Sequence, residues 1–548
     1  MLGRSGGRVA GDVGGGSSRG DSPRGVEMRD LEDRRGSTSK ADGFSLVAAV
    51  DDDDGEQLIG GGGGGGPRGS GRGAAGGSDS RQHLSSDGRT FVNLLISFVG
   101  VGLLGIPNAY KEGGLLLSTG VFALVGVVCT YCMWMLVRCK YRVIALRGKG
   151  DNPGPVKYAD ICHEALGKWG LVAVESALVA SFSGFSTAYL VFIGSISISI
   201  STTTSSNSNS ISSRWRRRRR WSRQHKPPSE SSGRRRARPV RNRWRRSAGQ
   251  PSGLLRNLHA LFAFRDTPVI FLCVPGLVLM CLIKHLKYLA PFSLVAEVVN
   301  LTGLAVVFFD DAEFIWLNHE SISMAQWKAV PFVLGVGVYC FGGIGMVIPI
   351  EEAMTNRENF TPILSWVMVI YTSLCVLSGG LGYMAFGDAT KDIILLNIGL
   401  SVSTLIVKIS FCVGLYFTFP IMMVPVWEVL EFKWLRHHSP SYGRDRNLLR
   451  AAVVLATGVV ACAVPNFGLF LSLIGNSSCA LLVLIMPTLC YTRLEKTAGF
   501  PLGPRRSLMN NIILAAGIFA MIYGTADTLR SIGLEYSGGD DGAGHARP

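Results

Sequence analysis

The chain is expected to fold as an all-α polytopic membrane protein of about eleven transmembrane helices, and three observations carry that expectation. Of its 548 residues 47 % are hydrophobic and only 17 % are charged, against about 25 % charged in average soluble domains. The charges are clumped rather than interspersed. Between Phe91 and Ile532, long apolar runs alternate with short polar connectors. A bilayer core of about 30 Å needs roughly 20 apolar residues per helix.

Eleven segments meet or nearly meet that length: 91–110, 114–137, 171–195, 268–283, 289–309, 330–349, 362–386, 400–427, 449–464, 466–489 and 509–532. A soluble protein can hide one such run, but not eleven. Residues 1–88 are rich in Gly, Ser, Arg and Asp, with a glycine run from Gly61 to Gly66, and read as a disordered cytosolic tail. Residues 89–534 form the membrane domain, interrupted at about 195–251 by a Ser/Arg-rich low-complexity insertion, and 535–548 form a short acidic tail. No cleavable signal peptide is visible, so the first span is expected to act as the targeting signal.

The net charge of +16 is a local property. Fifteen Arg, Lys226 and Glu230 fall between Arg214 and Arg246, a net +15 that leaves about +1 for the rest of the chain. Arg interleaved with Trp215, Trp221 and Trp244 is a composition that binds RNA or anionic lipid. Its low complexity reads first as an unstructured insertion, and no nucleic-acid partner is expected.

Short cytoplasmic loops carry an excess of Lys and Arg. With the N-terminus in the cytosol, the inside loops hold Arg138, Lys140, Arg142, Arg147 and Lys149, then Lys284 and Lys287, then Arg444, Arg446 and Arg450, then Arg493, Lys496, Arg505 and Arg506. The outside loops hold Asp310, Asp311, Glu313 and Glu320, then Asp388 and Asp392, and at the end Asp540 and Asp541. The loop after the sixth span is mixed, with Glu351, Glu352, Arg357 and Glu358. The basic insertion would lie outside, which a long translocated loop permits. Cys129 and Cys132 form a C-x-x-C, but in mid-helix and without a second pair they read as packing thiols.

The first span contains Phe98-Val-Gly-Val-Gly-Leu-Leu-Gly-Ile-Pro107, with Gly100, Gly102 and Gly105 in G-x-G-x-x-G order. That order marks a dinucleotide fold only between a strand and a helix, and here it sits inside a membrane span. Glycine costs about 1 kcal/mol and proline about 3 kcal/mol in a helix interior, so the helix is weakened at mid-membrane depth. Irregular backbone at that depth is tolerated where it is buried in protein or lines a cavity. The sixth span repeats the pattern: Gly335, Gly337, Gly342, Gly343 and Gly345 precede Pro349. Paired interrupted spans, five helices apart in an inverted repeat, point to a transport site. Close packing through small residues is the structural alternative.

At these residues the chain resembles the amino acid/auxin permease family, and within it the vacuolar amino acid transporters of plants and fungi. The matching stretches are FVNLLISFVGVGLLGIPNAYKEGG (91–114), YCFGGIGMVIPIEEAM (339–354), LGYMAFGDATKDIILLNI (381–398), CVGLYFTFPIMMVPVWEVLE (412–431) and VPNFGLFLSLIGNSSCALL (464–482). The resemblance implies a LeuT-like fold, a five-plus-five inverted repeat plus one helix, with a cytosolic N-terminus. By position it implies that Gly100, Val101, Gly102 and Leu103 offer backbone to a substrate carboxylate. Phe341, Gly342 and Gly343 would offer carbonyls to the amino group. Two departures bear on coupling. Gly342 stands where related transporters often have Glu, and Asn93 stands where animal proton-coupled relatives have His.

Ionisable residues within spans are functional candidates by default. Glu297 in the fifth span is the candidate proton-linked carboxylate, the alternative being a structural hydrogen-bond partner. Lys408 in the eighth span snorkels or pairs with an acid. Glu175, near a helix end, reads as interfacial. Ser181, Ser183, Ser186, Thr187 and Tyr189 in the third span either line a pocket or bond between helices. On the N-terminal tail, Asp54, Leu58 and Ile59 resemble an acidic dileucine sorting signal read by adaptor complexes. No Walker motif, zinc signature or nucleophile elbow appears, so neither a pump nor an enzyme is expected, and no cofactor. The expectation is a secondary transporter of amino acids in the vacuolar membrane, coupled to protons. A non-transporting amino-acid sensor on the same scaffold, or a carrier of auxin or another small carboxylate, remains compatible.

Overall fold

The computed structural model describes residues 85–147, 155–224, 267–282, 298–309, 322–398, 402–435, 442–464, 466–499 and 502–541. The described residues are almost entirely helical, and their one β pairing is an isolated bridge between Ser85 and Met354. The first span is two helices, α1 (Asp87–Phe98) and α2 (Gly102–Gly113). There follow α3 (Leu115–Arg147), α4 (Tyr158–Gln224), α5 (Thr267–Cys281) and α6 (Val298–Phe309). The sixth span comprises α7 (Val330–Cys340), a 3₁₀ turn (Gly342–Met346) and α8 (Val347–Glu352). Next come α9 (Phe360–Phe386), α10 (Val402–Met422), α11 (Val424–Trp434) and α12 (Tyr442–Ala463). The tenth span joins α13 (Phe467–Ile474), a π-helical segment (Gly475–Ile485) and α14 (Met486–Thr497). The last joins α15 (Pro504–Phe519), a π turn (Ala520–Gly524) and α16 (Thr525–Asp541).

Among the described residues, eight helical stretches are long and apolar enough to cross a membrane, nine when the bent α1–α2 pair counts as one span. Two shorter apolar helices, Pro268–Cys281 and Val298–Phe309, occupy the positions of the expected fourth and fifth spans. Two boundaries differ from expectation. Helix α4 begins at Tyr158, turns at Gly167 with φ +70, and runs on into the serine-rich stretch as far as Gln224. Helix α16 continues to Asp541, past the expected start of the acidic tail.

Burial separates core spans from rim spans. The stretches Tyr158–Ser201, Trp327–Glu352 and Phe467–Thr497 are mostly enclosed, whereas Pro504–Tyr536 presents most of its surface outward. Leu124, Val127, Trp366, Leu455 and Ile522 are exposed, as lipid-facing apolar side chains must be, since acyl chains are as apolar as leucine. The core spans approach closely because small residues meet. A Cβ on Gly475 would lie 1.8 Å from the Gly335 carbonyl oxygen, so α7 and the π segment touch backbone to backbone. Helix α9 sets its glycines against side chains of α2: a Cβ on Gly379 would lie 2.3 Å from the Tyr110 ring, and one on Gly382 would lie 2.7 Å from the Pro107 ring.

Candidate functional site

The glycine-rich stretch of the first span ends α1 rather than bending it gradually. Val99 is extended (φ −71, ψ 105), and α2 leaves at 51° to α1. The amides of Leu103 and Leu104 turn back to the carbonyls of Gly100 and Val101, both at 3.1 Å. The N–H groups of Gly100, Val101 and Gly102 therefore precede the first turn of α2, where helical amides have no partner on their own helix. The positive end of the α2 dipole points the same way. Such an end binds carboxylates and other anions.

The sixth span breaks by tightening. After Cys340 the chain passes through Phe341 (φ −90, ψ 12) into the 3₁₀ turn Gly342–Met346. A 3₁₀ stretch inside a helix often marks a hinge. Phe341 is wholly buried, with its ring edge-on to Tyr371 at 5.3 Å.

The two breaks lie against each other. A Cβ on Gly102 would come within 3.0 Å of the Tyr339 ring and 3.2 Å of Cys340 Sγ. A Cβ on Gly343 would come within 2.8 Å of the Phe98 ring and 3.3 Å of the Ser97 carbonyl. Gly342 is crowded by Phe185 of α4 and by Cys479 of the π segment. Gly100 is the open one, its nearest neighbour being the Tyr189 hydroxyl, 3.8 Å from where a Cβ would stand. Phe185 in turn stacks edge-on to Tyr339 at 5.0 Å. Gly100, Val101, Gly102 and Leu103 thus share one neighbourhood with Phe341, Gly342 and Gly343, ringed by aromatic side chains.

The other sequence candidates are placed as follows. Glu297 lies outside the described residues, as do Asp54, Leu58 and Ile59. On α6, Asn300 is buried beside Gly414, and its Oδ1 has no hydrogen-bond partner among the described residues. Lys408 is buried and donates to the Ile398 carbonyl at 3.0 Å. Glu175 meets Lys433 of α11 at 3.3 Å. Ser181 accepts from Cys479 at 3.7 Å, and Thr187 returns its hydroxyl to the Ser183 carbonyl at 2.8 Å. Of the third-span hydroxyls, Tyr189 is the one beside the first break.

Three features were not foreseen. On α9, Ser378 Oγ donates to the Leu103 carbonyl at 3.0 Å, and Tyr371 donates to the Cys340 carbonyl at 3.0 Å. At the expected inner end, Lys140 of α3 pairs with Glu351 and, at 3.1 Å, with Glu352, while the Tyr141 hydroxyl donates to Glu351. Lys140 and Glu351 are 1 % and 0 % exposed; charges so buried must be paired. Beside them a clasp joins the start of α1 to the end of α8. The Ser85 amide donates to the Ala353 carbonyl at 2.7 Å, the Thr355 amide to the Ser85 carbonyl at 3.1 Å, and Asn359 to Asp87 at 2.8 Å. The signal for Lys140 was its place among the inside cations, which sequence reading spends on orientation rather than on a partner.

Residues 83–218 and 252–530 match a family model described as transmembrane amino acid transporter protein. An Arabidopsis thaliana relative described as amino acid transporter AVT3C is 30 % identical over 450 residues, covering 82 % of this chain and 92 % of its own. A Drosophila melanogaster relative described as the proton-coupled amino acid transporter-like protein pathetic is 26 % identical over 469 residues, 84 % of this chain and 88 % of its own. Vacuolar amino acid transporter 4 of Saccharomyces cerevisiae is 22 % identical over 484 residues, 81 % of this chain and 58 % of its own.

Proposed function

The chain belongs to the transmembrane amino acid transporter family, and from that premise we propose that it is a secondary active carrier of amino acids working by alternating access. The observation that carries the reading is the contact between the two broken spans, Gly102 on Tyr339 and Gly343 on Phe98. An amino acid has an anionic and a cationic group on one carbon. Its carboxylate would accept from the amides of Gly100, Val101 and Gly102 at the positive end of α2, with the Leu103 backbone closing the turn behind them,. Its ammonium would donate to carbonyls at Phe341, Gly342 and Gly343. Charge-assisted hydrogen bonds of this kind are roughly twice as strong as neutral ones, and enclosure by aromatic rings strengthens them further.

A proton gradient is the proposed driving force, in keeping with the printed description of the fly relative. Glu297 is the proposed carboxylate that carries the proton. The vacuolar membrane is the proposed site of action, in keeping with the yeast relative, with the N-terminus cytosolic and Asp54, Leu58 and Ile59 presented to a sorting adaptor. A five-plus-five inverted repeat, LeuT-like, with an eleventh helix is the proposed architecture.

The test is uptake of labelled amino acids by purified protein in proteoliposomes, with and without an imposed pH gradient. Accumulation that collapses with the gradient is expected. Saturable binding without net flux would replace the carrier with a sensor, and uptake indifferent to the gradient would remove the proton. Preference for a small carboxylate without an amino group would remove the amino acid as cargo. Glu297→Gln is expected to abolish stimulation by the gradient; retained stimulation would discharge Glu297.

A further inference from the structure

Pro107 stands inside α2 and has no amide hydrogen, so the carbonyl four residues back, that of Leu103, lacks its helical donor. Ser378 fills the vacancy with its hydroxyl, at 3.0 Å. In the sixth span the change from α-helix to 3₁₀ turn after Cys340 shifts the bonding register. The Cys340 carbonyl receives the Tyr371 hydroxyl, also at 3.0 Å. Both donors are buried, Tyr371 at 1 % and Ser378 at 2 % exposure. Both belong to α9 and lie seven residues apart, about two helical turns and hence on one face. The Tyr371 ring also touches each break, 5.6 Å from Phe98 and 5.3 Å from Phe341.

We propose that Tyr371 and Ser378 are positioning residues for amino acid binding, through which the seventh span holds the two broken spans in register. Each acts through backbone, Ser378 on Leu103 and Tyr371 on Cys340, one at each broken span. The amide pole and the carbonyl pole are then fixed relative to each other by a third helix. This inference rests on the amino acid carrier reading given above. Ordinary repair of lone carbonyls would hold the fold together equally well, but it would leave substrate affinity alone. Positioning makes affinity depend on both hydroxyls.

The experiment is a double-mutant cycle read as KM for labelled amino acid uptake in proteoliposomes, normalised to folded protein by size-exclusion. Tyr371→Phe and Ser378→Ala are each expected to raise KM by about ten-fold, the scale of one lost buried hydrogen bond. Pro107→Ala restores an amide that can reach the Leu103 carbonyl, so Ser378→Ala added to Pro107→Ala should change KM by less than about two-fold. Unchanged KM with uptake falling in step with folded protein would overturn the proposal and leave both side chains as structural. An equal rise in KM in both backgrounds would overturn the route through Leu103. Should Ser378→Ala yield no folded protein, Tyr371→Phe carries the test alone. A wild-type protein without uptake would instead overturn the carrier reading, and the inference with it.

Discussion

The first and sixth spans are interrupted by the same residue types but with different outcomes. In the first, the chain turns extended at Val99 and the following half leaves at 51°; in the sixth, the chain stays wound and tightens through Gly342–Met346. Opening a helix frees amides together, whereas tightening it keeps most groups bonded at shorter spacing. The first break therefore presents more unpaired amides to the proposed carboxylate, and the sixth is a tightened stretch beside which the proposed ammonium would sit. Their anchors differ as well. Helix α2 is held along its length by α9, and at its far end Lys111 donates to the Thr390 carbonyl at 3.1 Å. Helix α8 is short and is held at its end by Lys140.

The largest expected effect comes from filling the contact between the breaks. Gly102→Val places a branched side chain where even a Cβ stands 3.0 Å from the Tyr339 ring, and uptake should fall by more than about ten-fold, since packed interiors absorb such volume poorly. Gly337→Ala on the adjoining helix meets Val125 no closer than 3.6 Å and should leave uptake within about two-fold. Equal losses in the two would erase the distinction between a contact that the site needs and ordinary span packing.

The anchor of the sixth span comes next. Glu351→Gln leaves Lys140 buried with Glu352 as its remaining carboxylate, and should cost about 3 kcal/mol in stability, read as a lowered melting temperature in detergent. Pairing Glu351→Leu with Lys140→Met should recover part of that loss, because two apolar groups need no mutual compensation. No loss on the single substitution would mean that α8 is not anchored there.

The loop beyond α9 gives the smallest effect. Burial pushes the Asp392 carboxyl up from 3.8 to about 6, with Glu535 and Glu112 adding to the rise and Asn466 and Lys111 opposing it. An acid raised in the folded state binds its proton more tightly there than in the unfolded chain. Its stabilising contribution is thus present at low pH and lost as pH climbs through about 6,. Asp392→Asn should raise the melting temperature at pH 7.5, and the gain should shrink toward pH 5. A gain independent of pH would assign the effect to something other than this carboxyl.

The breaks themselves were legible because glycine and proline act locally: Gly100, Gly102 and Pro107 weaken a helix wherever it packs. What holds the broken halves was not legible. Ser378 is 275 residues from Leu103 along the chain, and Tyr371 is 31 from Cys340; nothing local to either stretch marks the partner. Tyr371 and Ser378 look like ordinary polar residues of an apolar span until the tertiary fold sets them beside a lone carbonyl. The Lys140–Glu351 ion pair was hidden for a related reason, since Lys140 fits the charge asymmetry of a short loop and Glu351 fits a mixed one. The extent of α4 also escaped reading, because hydropathy falls off at the serine-rich stretch while the helix continues to Gln224.

The first break is proposed to bind the carboxylate of an amino acid. Competition against labelled amino acid uptake in proteoliposomes tests it most directly, using the unlabelled amino acid and its methyl ester side by side. The ester keeps the side chain and the ammonium but lacks the anion that the α2 amides would hold. The free amino acid should compete and the ester should compete at least about ten-fold more weakly, the scale of a lost charged hydrogen bond. Equal competition by the ester would show that the amides at Gly100, Val101 and Gly102 do not hold the carboxylate.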